Sequence, residues 1–416
     1  MADHEDSSVL PGPFLNHVKI RNYKSIGACS INLKTVTVLV GRNGAGKSNF
    51  LDALRFVSDG LQTSLGHAIR DRGGIEEVRR RSTGHPRNFA VELDFLLPGG
   101  NCRYGFEIAA RKGGVFAVKQ EHLFRVFNRK VIAEYRVLGG KVVRPVNKNM
   151  PPVSDDRLYL VNASGLPEFR PIYDALCSMG FYNLNPEAMK ELQSPDAGEL
   201  LYRDGSNIAS VIARITDSHP DVKERLKAYL STIVPGIIDV ERVALGPKET
   251  LRFRQEVVGS KHPWRFLAVN MSDGTLRALG TLVAVMQLAN SFHQVKLIGI
   301  EEPETALHPA ATSALVDALR EAGSHTQTLL TSHSPDLLEQ IEPATDGLLA
   351  VQSRRGTTEI GPVDKASLDA MKEMLYSPGE LLRMDQLEPD RKDIARQKRL
   401  PLFEEGACQD FESHPS

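Results

Sequence analysis

The segment GRNGAGKS, residues 41–48, constrains the fold of this chain more strongly than any other stretch. It satisfies the pattern G-x-x-x-x-G-K-[ST], follows the β-rich run SINLKTVTVLV and precedes the helical pattern NFLDALRFVSDGL. A loop of this kind wraps phosphate groups with its backbone N–H donors, while Lys47 reaches the β- and γ-phosphate oxygens and Ser48 ligates Mg²⁺. The alternative is a chance glycine-rich turn, and the strand–loop–helix context argues against it. The segment therefore predicts an α/β fold of the P-loop NTPase type.

Contacts with a bound nucleotide are expected from the whole loop and from the residue after it. Lys47 is also expected to act in catalysis, because its charge would lie beside the phosphate that is transferred. The expected binding residues are Gly41, Arg42, Asn43, Gly44, Ala45, Gly46, Lys47, Ser48 and Asn49.

Two apolar runs later in the chain end in polar residues, as buried strands do when they deliver side chains to a site. KLIGIEEPE, residues 296–304, ends in carboxylates, and TQTLLTSHSP, residues 326–335, carries His333. Phosphoryl transfer to water needs one acid to hold the metal shell and one group to orient the attacking water. Glu301 fits the first role, Glu302 fits the second, and His333 lies where a γ-phosphate sensor belongs. Taken singly, the acidic run is also compatible with a solvated turn, and a lone histidine is usually a structural residue.

The segment NMSDGTLRAL, residues 270–279, predicts the start of a helix. Ser272 can cap the helix, Asp273 suits the positive end of its dipole, and leucines follow at helical spacing. Helix N-termini also bind anions. An ordinary capped core helix and a phosphate-binding end both fit this pattern, and both can hold at once.

The remaining segments indicate how the chain is organised. Residues 89 to about 137 contain four β-rich runs separated by turns, which predicts an antiparallel meander. Residues from about 167 to 231 change to helical periodicity, and two strand candidates, IIDVERVAL and TLRFRQEVV, follow. After residue 295, strands and helices alternate as in α/β proteins, in which ligands bind at the carboxyl ends of strands.

Together the motifs resemble the heads of ATP-binding-cassette (ABC) ATPases, in the branch that includes RecF, SMC-type and OLD-type proteins. The resemblance rests on motif order: the phosphate loop, the signature at 270–276, the acidic strand end at 297–302, ALHP at 306–309, and then His333. It covers most of the chain.

Within that branch, IEEPETALHP and TSHSPDLL are similar to the bacterial "predicted ATPase" group of AAA-type P-loop proteins, which includes PtuA-like and OLD-like anti-phage ATPases. YSPGELLRMDQL, residues 376–387, and LYRDGSNIASVIARI, residues 201–215, are also similar to that group. Neither of these two segments has a chemistry of its own.

The resemblance implies an ABC-ATPase head with a mixed sheet, an antiparallel β subdomain and a helical lobe. It implies ATP and Mg²⁺ as cofactors, and a homodimer or higher homo-oligomer formed through the ATP sites. In such heads the signature helix of one subunit closes on the γ-phosphate held by another subunit, so Ser272 and Gly274 would act in trans. Contacts made by a partner subunit make dimer closure depend on ATP.

The resemblance also divides the chain. Residues 1–13 are expected to be a flexible N-terminus, and residues 386–416 a charged, frayed tail. The single ABC-type head between them spans residues 14–385, with a nucleotide lobe at about 14–140 plus 295–385 and a helical, signature-bearing lobe at about 141–294.

The sequence departs from the family pattern at three places. The signature reads MSDG, so that Asp273 replaces a second small residue. Glu301 stands where an aspartate is more usual, which places its carboxylate one methylene farther out. The glutamine of the family's Q-loop is not evident, and Gln120 and Gln193 are the candidates.

Composition and charge limit the partners and the cellular compartment expected for this chain. The 416 residues carry a net charge of −1, so nucleic-acid contact would require a local patch such as Arg79, Arg80 and Arg81, a run that more often forms a solvated surface. The acidic N-terminus lacks the features of a signal peptide, and no apolar run is long enough to span a bilayer. Four widely separated cysteines suit a reducing compartment. We expect a cytoplasmic protein with no membrane contact.

Two functions fit these patterns. The first is a soluble Mg²⁺-dependent ATPase whose nucleotide-driven dimerisation controls a nucleic-acid transaction in anti-phage defence or DNA repair, with DNA as a candidate partner. The second is a slow nucleotide-dependent scaffold or sensor that regulates a partner effector such as a nuclease. No acidic triad of a nuclease follows His333, so nuclease activity would belong to that partner. A transporter subunit is disfavoured by the altered signature.

Overall fold

The computed structural model describes residues 13–82, 86–145, 150–286, 295–323, 326–401 and 403. Within these ranges one large mixed sheet forms the body of the protein, and a smaller three-stranded sheet belongs to a helical lobe. The strands are β1 Leu15–Tyr23, β2 Ile26–Asn32, β3 Val36–Val40, β4 Asn88–Leu97, β5 Gly100–Ala110, β6 Phe116–Phe127, β7 Lys130–Leu138, β8 Lys141–Pro145, β9 Gly180–Tyr182, β10 Ile237–Leu245, β11 Lys248–Gln255, β12 Trp264–Leu267, β13 Leu297–Glu301, β14 Gln327–Ser332, β15 Gly347–Arg354 and β16 Thr357–Pro362. The helices are α1 Lys47–Gln62, α2 Leu65–Arg70, α3 Ile75–Val78, α4 Tyr159–Ala163, α5 Arg170–Cys177, α6 Pro186–Lys190, α7 Ile208–Ser218, α8 Pro220–Ile233, α9 Asp273–Met286, α10 Pro309–Gly323, α11 Pro335–Leu338, α12 Lys365–Lys372, α13 Pro378–Arg383 and α14 Arg391–Arg399.

Five parallel strands at one end of the large sheet carry the sequence motifs. Their order is β15-β3-β14-β13-β9, and each is parallel to its neighbours. The carboxyl ends of parallel strands lie at the same edge of a sheet. The phosphate loop after β3, the acidic turn after β13 and His333 after β14 therefore come to one edge, which we call the site edge.

The rest of the large sheet is mainly antiparallel, in the order β8-β7-β6-β5-β4-β1-β2-β16, and β16 pairs with β15. The predicted meander is confirmed, because β4 to β7 pair in sequence as antiparallel neighbours. It is continuous with the sheet that carries the phosphate loop: β4 pairs with β1, and β1 pairs with β2.

Two hydrophobic cores cover the two faces of the sheet around β3. Leu39 packs in the first core, which also holds the buried face of α1. Val38 and Val40 pack in the second core, beneath the helical lobe. All five residues of β3 are buried, as expected for a strand covered on both faces. The strand that ends in the phosphate loop is thus fixed from both sides.

The helical lobe contains α6 to α9 and the β10-β11-β12 sheet. The four helices, β10 and β11 contribute to the second core, and β12 pairs with β11. It begins later than the predicted residue 141, because residues 158–179 pack into the first core beside α1. Helix α9 begins at Asp273, as predicted, and is followed to Met286. The predicted continuation beyond Met286 lies outside the described residues.

Part of the predicted frayed tail is folded. Helix α14 lies against β2 and β16, with Ile394 and Gln397 buried. The Gln397 amide donates to the Ile360 carbonyl at 2.9 Å, and its oxygen accepts the Ser30 N–H at 3.1 Å. Charge composition predicted a frayed segment, whereas two buried side chains three residues apart attach this helix to the sheet. Residues 1–12 and 404–416 lie outside the described part, so the other terminal predictions have no structural counterpart.

No helix in the described ranges is long and apolar enough to cross a membrane. Cys29, Cys102 and Cys177 are free thiols, the first two buried, and Cys408 is outside the described residues. Burial raises the pKa of Cys177 to about 11, so this thiol is protonated at neutral pH.

Replacing Gln397 tests whether α14 is part of the fold. Gln397→Ala removes the partners of the buried Ser30 N–H and Ile360 carbonyl, and we expect the free energy of unfolding to fall by about 1–3 kcal/mol. Lys398→Ala removes only an exposed ion pair with Glu359 and should change it by less than about 1 kcal/mol. Chemical denaturation of both variants measures the difference, and equal stability of the two would show that α14 is not docked.

Candidate functional site

The phosphate loop joins buried β3 to α1, and two of its glycines are required by close contacts. A Cβ atom on Gly41 would lie 2.1 Å from the Val351 carbonyl oxygen, and one on Gly46 would lie 2.0 Å from the Thr358 hydroxyl. Gly46 also has a φ of 102°, in the left-handed region that favours glycine. The Thr358 hydroxyl donates to the Ala45 carbonyl at 2.9 Å. Strands β15 and β16 therefore shape the loop from the side.

The Lys47 side chain is buried in the loop with only 5% of its surface exposed. Its ammonium donates to the Gly41 carbonyl at 2.8 Å and to the Arg42 carbonyl at 3.3 Å. Burial lowers the pKa of Lys47, while the nearby carboxylates of Glu302 and Glu304 raise it. The cation is thus held at the loop by neutral carbonyls and by negative charge at the strand end.

The outer part of the loop faces solvent. Arg42, Asn43, Gly44 and Ser48 are exposed, and Ser48 lies in the first turn of α1. The first-turn N–H groups of a helix have no intrahelical partners, so this end can receive an anion. The Asn49 amide instead donates to the Ser25 hydroxyl at 2.6 Å, which bonds to the Thr358 hydroxyl at 2.7 Å. Asn49 is thus linked to Ser25 and Thr358 in this structure, and its contact with a nucleotide stays a prediction.

Glu302 brings the three predicted catalytic residues together. Its Oε1 lies 3.1 Å from His333 Nδ1 and 3.9 Å from Lys47 Nζ. Its N–H donates to the Thr331 carbonyl at 3.0 Å, and its φ of 46° turns the chain sharply after β13. Backbone in this region costs a non-glycine residue about 1–3 kcal/mol, and such residues cluster at functional sites. A carboxylate, an imidazole and an ammonium thus meet beside the phosphate loop.

Glu301, the predicted metal ligand, makes a different contact. Its Oε1 lies 3.3 Å from Arg203 Nη2, and its side chain is 20% exposed. Arg203 belongs to the 201–215 segment noted in the sequence. A bound metal ion would have to compete with this guanidinium for the carboxylate.

Mg²⁺ is the metal that a P-loop site implies, and the donors here fit an ion carried by a nucleotide. The described residues contain no cluster of three or more metal-ligating side chains that could hold an ion alone. Mg²⁺ commonly uses one or two protein oxygens and takes the rest from phosphates and water. The Ser48 hydroxyl and the Glu301 carboxylate supply oxygens of this kind at the site edge.

Glu304 is a further acid in the same turn and the alternative candidate for the catalytic base. It is 6% exposed, one oxygen accepts the Ser332 hydroxyl at 2.5 Å, and the other is buried without a hydrogen-bond partner. Burial raises the pKa of Glu304. This contact connects the acidic turn to the strand that carries His333.

The signature helix has the predicted capped start. The Ser272 hydroxyl accepts the Thr275 N–H at 3.2 Å, and Ser272 itself is exposed. Gly274 is buried: a Cβ atom there would lie 2.1 Å from the Ala306 carbonyl oxygen. The start of α9 therefore packs directly on the turn that follows Glu302 and Glu304 in the same chain.

The two candidates for the Q-loop glutamine lie in structural settings. The Gln120 amide donates to the Glu107 carboxylate within the meander at 2.8 Å. Gln193 is buried and its oxygen accepts the Ala209 N–H at 3.0 Å, at the start of α7. Neither contact involves the phosphate loop.

The basic run that suggested DNA contact is largely paired. Arg79 and Arg81 form ion pairs with Glu76 and Glu77, and the Arg80 guanidinium donates to the Thr357 hydroxyl at 2.6 Å. These neighbours offset much of the positive charge, as is typical of a solvated surface.

Residues 36–137 and 149–339 match the family described as AAA domain, putative AbiEii toxin, Type IV TA system. The chain belongs to this family. It is an ABC-type ATPase head of the RecF/SMC branch, with the α/β fold class that the motifs predicted.

One curated relative and one solved structure are similar to this chain. The DNA replication and repair protein RecF of Gloeobacter violaceus is 33% identical over 95 residues, which are 22% of this chain and 24% of that protein. The chain thus matches about a quarter of that relative's length. The solved SmcHead bound to the C-winged helix domain of ScpA is 15% identical with a TM-score of 0.53, covering 86% of this chain and 100% of that chain. The second similarity concerns the fold alone.

The glycines of the loop give a matched test of its geometry. Gly46→Ala places a methyl group 2.0 Å from the Thr358 hydroxyl and strains the backbone, so we expect ATP affinity to fall at least about tenfold. Gly44→Ala also strains a positive φ, of 75°, but its methyl group meets no atom within 4 Å. Its loss should be clearly smaller, and titration with a fluorescent ATP analogue compares the two. Equal losses of affinity would show that backbone strain, and not the contact with Thr358, weakens ATP binding.

Proposed function

We propose that this chain is a Mg²⁺-dependent ATPase that binds ATP at a composite site between two copies. We further propose that binding and hydrolysis drive a nucleic-acid transaction in the cytoplasm, in anti-phage defence or DNA repair. The observation that carries the proposal is the contact of Glu302 with both His333 and Lys47, at 3.1 and 3.9 Å. A carboxylate to orient water, an imidazole to sense phosphate and a cation to bind phosphate are the groups that ATP hydrolysis needs close together.

Each residue has a defined task in this proposal. The Lys47 ammonium, now on the loop carbonyls, would bind β- and γ-phosphate oxygens, and Ser48 and Glu301 would hold the metal. When bound, Mg²⁺ neutralises charge on the phosphate oxygens. Glu302 orients the attacking water, while His333 holds the carboxylate in place and contacts the γ-phosphate.

We propose that Ser272 and Gly274 form the half of the site that a second copy contributes. Ser272 is exposed at the start of α9, and Gly274 lets the helix lie against its own chain at Ala306. Donors at such an exposed helix end suit a phosphate held by a second copy. A homodimer, or a larger ring of the same contacts, would complete the site.

The nucleic-acid part of the proposal rests on the relative named for DNA replication and repair, and the defence part on the toxin named in the family description. DNA is the proposed nucleic acid. A separate effector protein, such as a nuclease, would carry out any cleavage. The similarity to an SMC head solved with a bound partner domain is compatible with an effector of this kind.

A slow scaffold or sensor is the second candidate, and the Arg203–Glu301 ion pair favours it. Because this pair must open before Glu301 can reach a metal shell, hydrolysis would be slow until a partner displaces Arg203. A turnover rate that rises on addition of an effector, without nucleic acid, would support the scaffold function.

Replacing Glu302 tests the ATPase assignment. Glu302→Gln should bind ATP but turn it over at least about 100-fold more slowly, because it lacks the carboxylate that orients water. With Mg-ATP its solution mass should double, since the closed state is not released by hydrolysis. Lys47→Ala is the matched control, which should lose tight ATP binding and the mass change together. Normal turnover by Glu302→Gln would show that another residue is the catalytic base, and Glu304 would be the next candidate.

A further inference from the structure

A basic and aromatic segment precedes the signature helix in the sequence. Residues 257–267 read VVGSKHPWRFL and end in strand β12. The segment contains Lys261 and Arg265 but no acidic residue, although acids and bases nearly balance over the whole chain. Residues 258–265 are all exposed. We call residues 257–267 the β12 segment, and the ATPase proposal leaves it without a role.

Trp264, the one tryptophan of the sequence, is held at the surface by local contacts. It is 53% exposed, and its indole N–H donates to the Ser260 hydroxyl at 3.0 Å. The Ser260 hydroxyl donates to the His262 carbonyl at 2.7 Å, and the Ser260 N–H donates to the Val257 carbonyl at 3.0 Å. The polar atom of the indole thus has a partner, while the ring still presents a large apolar surface to solvent. Exposed aromatic rings are the groups on which unpaired bases stack.

Phe266 connects Trp264 to the protein core. Because side chains alternate along a strand, the two residues lie on the same face of β12, and their ring centroids are 6.2 Å apart. Phe266 is directly opposite Phe253 of β11, which is fully buried in the second core. The three rings therefore extend from the core to the surface, and Trp264 is the outermost.

Arg265 faces another arginine across the small sheet. In the register of β11 and β12 it lies directly opposite Arg254. Like charges in this position destabilise a pair of strands. Asp239 Oδ2 lies 3.6 Å from Arg254 Nη1, whereas Arg265 has no carboxylate partner within the described ranges. A bound anion would replace the repulsion between the two guanidinium groups with two favourable contacts.

Strand β12 forms an open edge of the small sheet, since in the described part of the chain it pairs with β11 alone. Open edges can add a β-strand of a partner protein. This strand has only four residues, follows Pro263 and carries Arg265, and these features discourage strand addition. The side chains, and not the backbone groups, are therefore the contact groups that this edge offers.

We propose that the β12 segment binds single-stranded nucleic acid. A base stacks on Trp264, and phosphates of the same strand contact Arg265 and Arg254 at the sheet edge. Stacking on a protein ring needs bases that are free of a complementary strand, so a duplex is not the ligand. The inference rests on the proposed function, because it names the form of nucleic acid on which the ATPase would act.

Fluorescence tests the site directly, because Trp264 is the source of all tryptophan emission from the full chain. Oligo-dT and oligo-U of about 16 nucleotides are titrated into the chain, first without nucleotide and then with Mg-ATP. We expect quenching, since a stacked base contacts the indole. The oligonucleotide that binds more tightly identifies the ligand as DNA or RNA. Poly-glutamate of the same charge is the control for attraction by charge alone, and should leave the emission unchanged.

Substitutions of Trp264 separate stacking from a structural role. With a fluorescein-labelled oligonucleotide, Trp264→Ala should weaken binding at least about fivefold, because the stacked base loses its platform. Trp264→Phe keeps an aromatic ring and should recover most of the affinity. Tyr376→Ala is the matched control. This tyrosine is 46% exposed but lies between Glu373 and Glu380 in the sequence, and its loss should leave the affinity unchanged.

Replacing Arg265 tests the phosphate contact. Arg265→Gln should weaken binding and lower the slope of log affinity against log salt concentration by about 0.7, as expected when one phosphate contact with a single strand is lost. The thermal midpoint of the free chain should not fall, because the substitution removes a like-charge pair. A merely structural role for Arg265 predicts the opposite: a lower midpoint and an unchanged salt slope.

The outcomes are distinguishable. Emission that neither oligonucleotide changes, or equal affinities of Trp264→Ala and the parent chain, would overturn the binding site and leave the ATPase proposal intact. Equal quenching by poly-glutamate would also overturn it, because charge alone would explain the binding. Failure of the ATPase proposal shows instead as normal turnover by Glu302→Gln, and the titration without nucleotide does not depend on that result.

Discussion

The backbone hydrogen bond from Glu302 to the Thr331 carbonyl determines the position of the whole catalytic cluster. At 3.0 Å it extends the β13–β14 pairing by one residue beyond β13. The positive φ of Glu302 then turns the carboxylate toward His333 and Lys47. Because β14 also pairs with β3, the register of these three strands sets the distances between acid, imidazole and lysine.

The phosphate loop depends on contacts with residues far away in sequence. The Thr358 hydroxyl bonds to both the Ala45 carbonyl and the Ser25 hydroxyl, and Ser25 accepts the Asn49 amide. These three contacts fasten the loop to the β1–β2 turn and to β16. Replacing Ser25 or Thr358 would therefore disturb the shape of the phosphate loop, and with it nucleotide binding, although neither residue belongs to the loop.

Sequence patterns predicted the features that arise from neighbouring residues. The loop motif, the apolar strands ending at Glu302 and His333, and the capped start of α9 each depend on a few consecutive side chains. The sequence did not predict that Glu301 contacts Arg203 or that Asn49 contacts Ser25. These partners come from other parts of the chain and are fixed only by the packed fold. Composition likewise did not predict α14. Most residues of this helix are charged, and only two of its side chains, Ile394 and Gln397, are buried.

The strand order has a consequence for how this protein is made. Strand β3 is synthesised early, but its neighbours in the sheet are β14 and β15, and Thr358 is later still. A growing chain on the ribosome thus contains the GRNGAGKS segment long before the strands that contact it have been synthesised. Contacts between residues this far apart in sequence form slowly, and the apolar strands stay exposed until they form. Prematurely terminated products that end before β14 would contain the motif without the neighbouring strands that shape it.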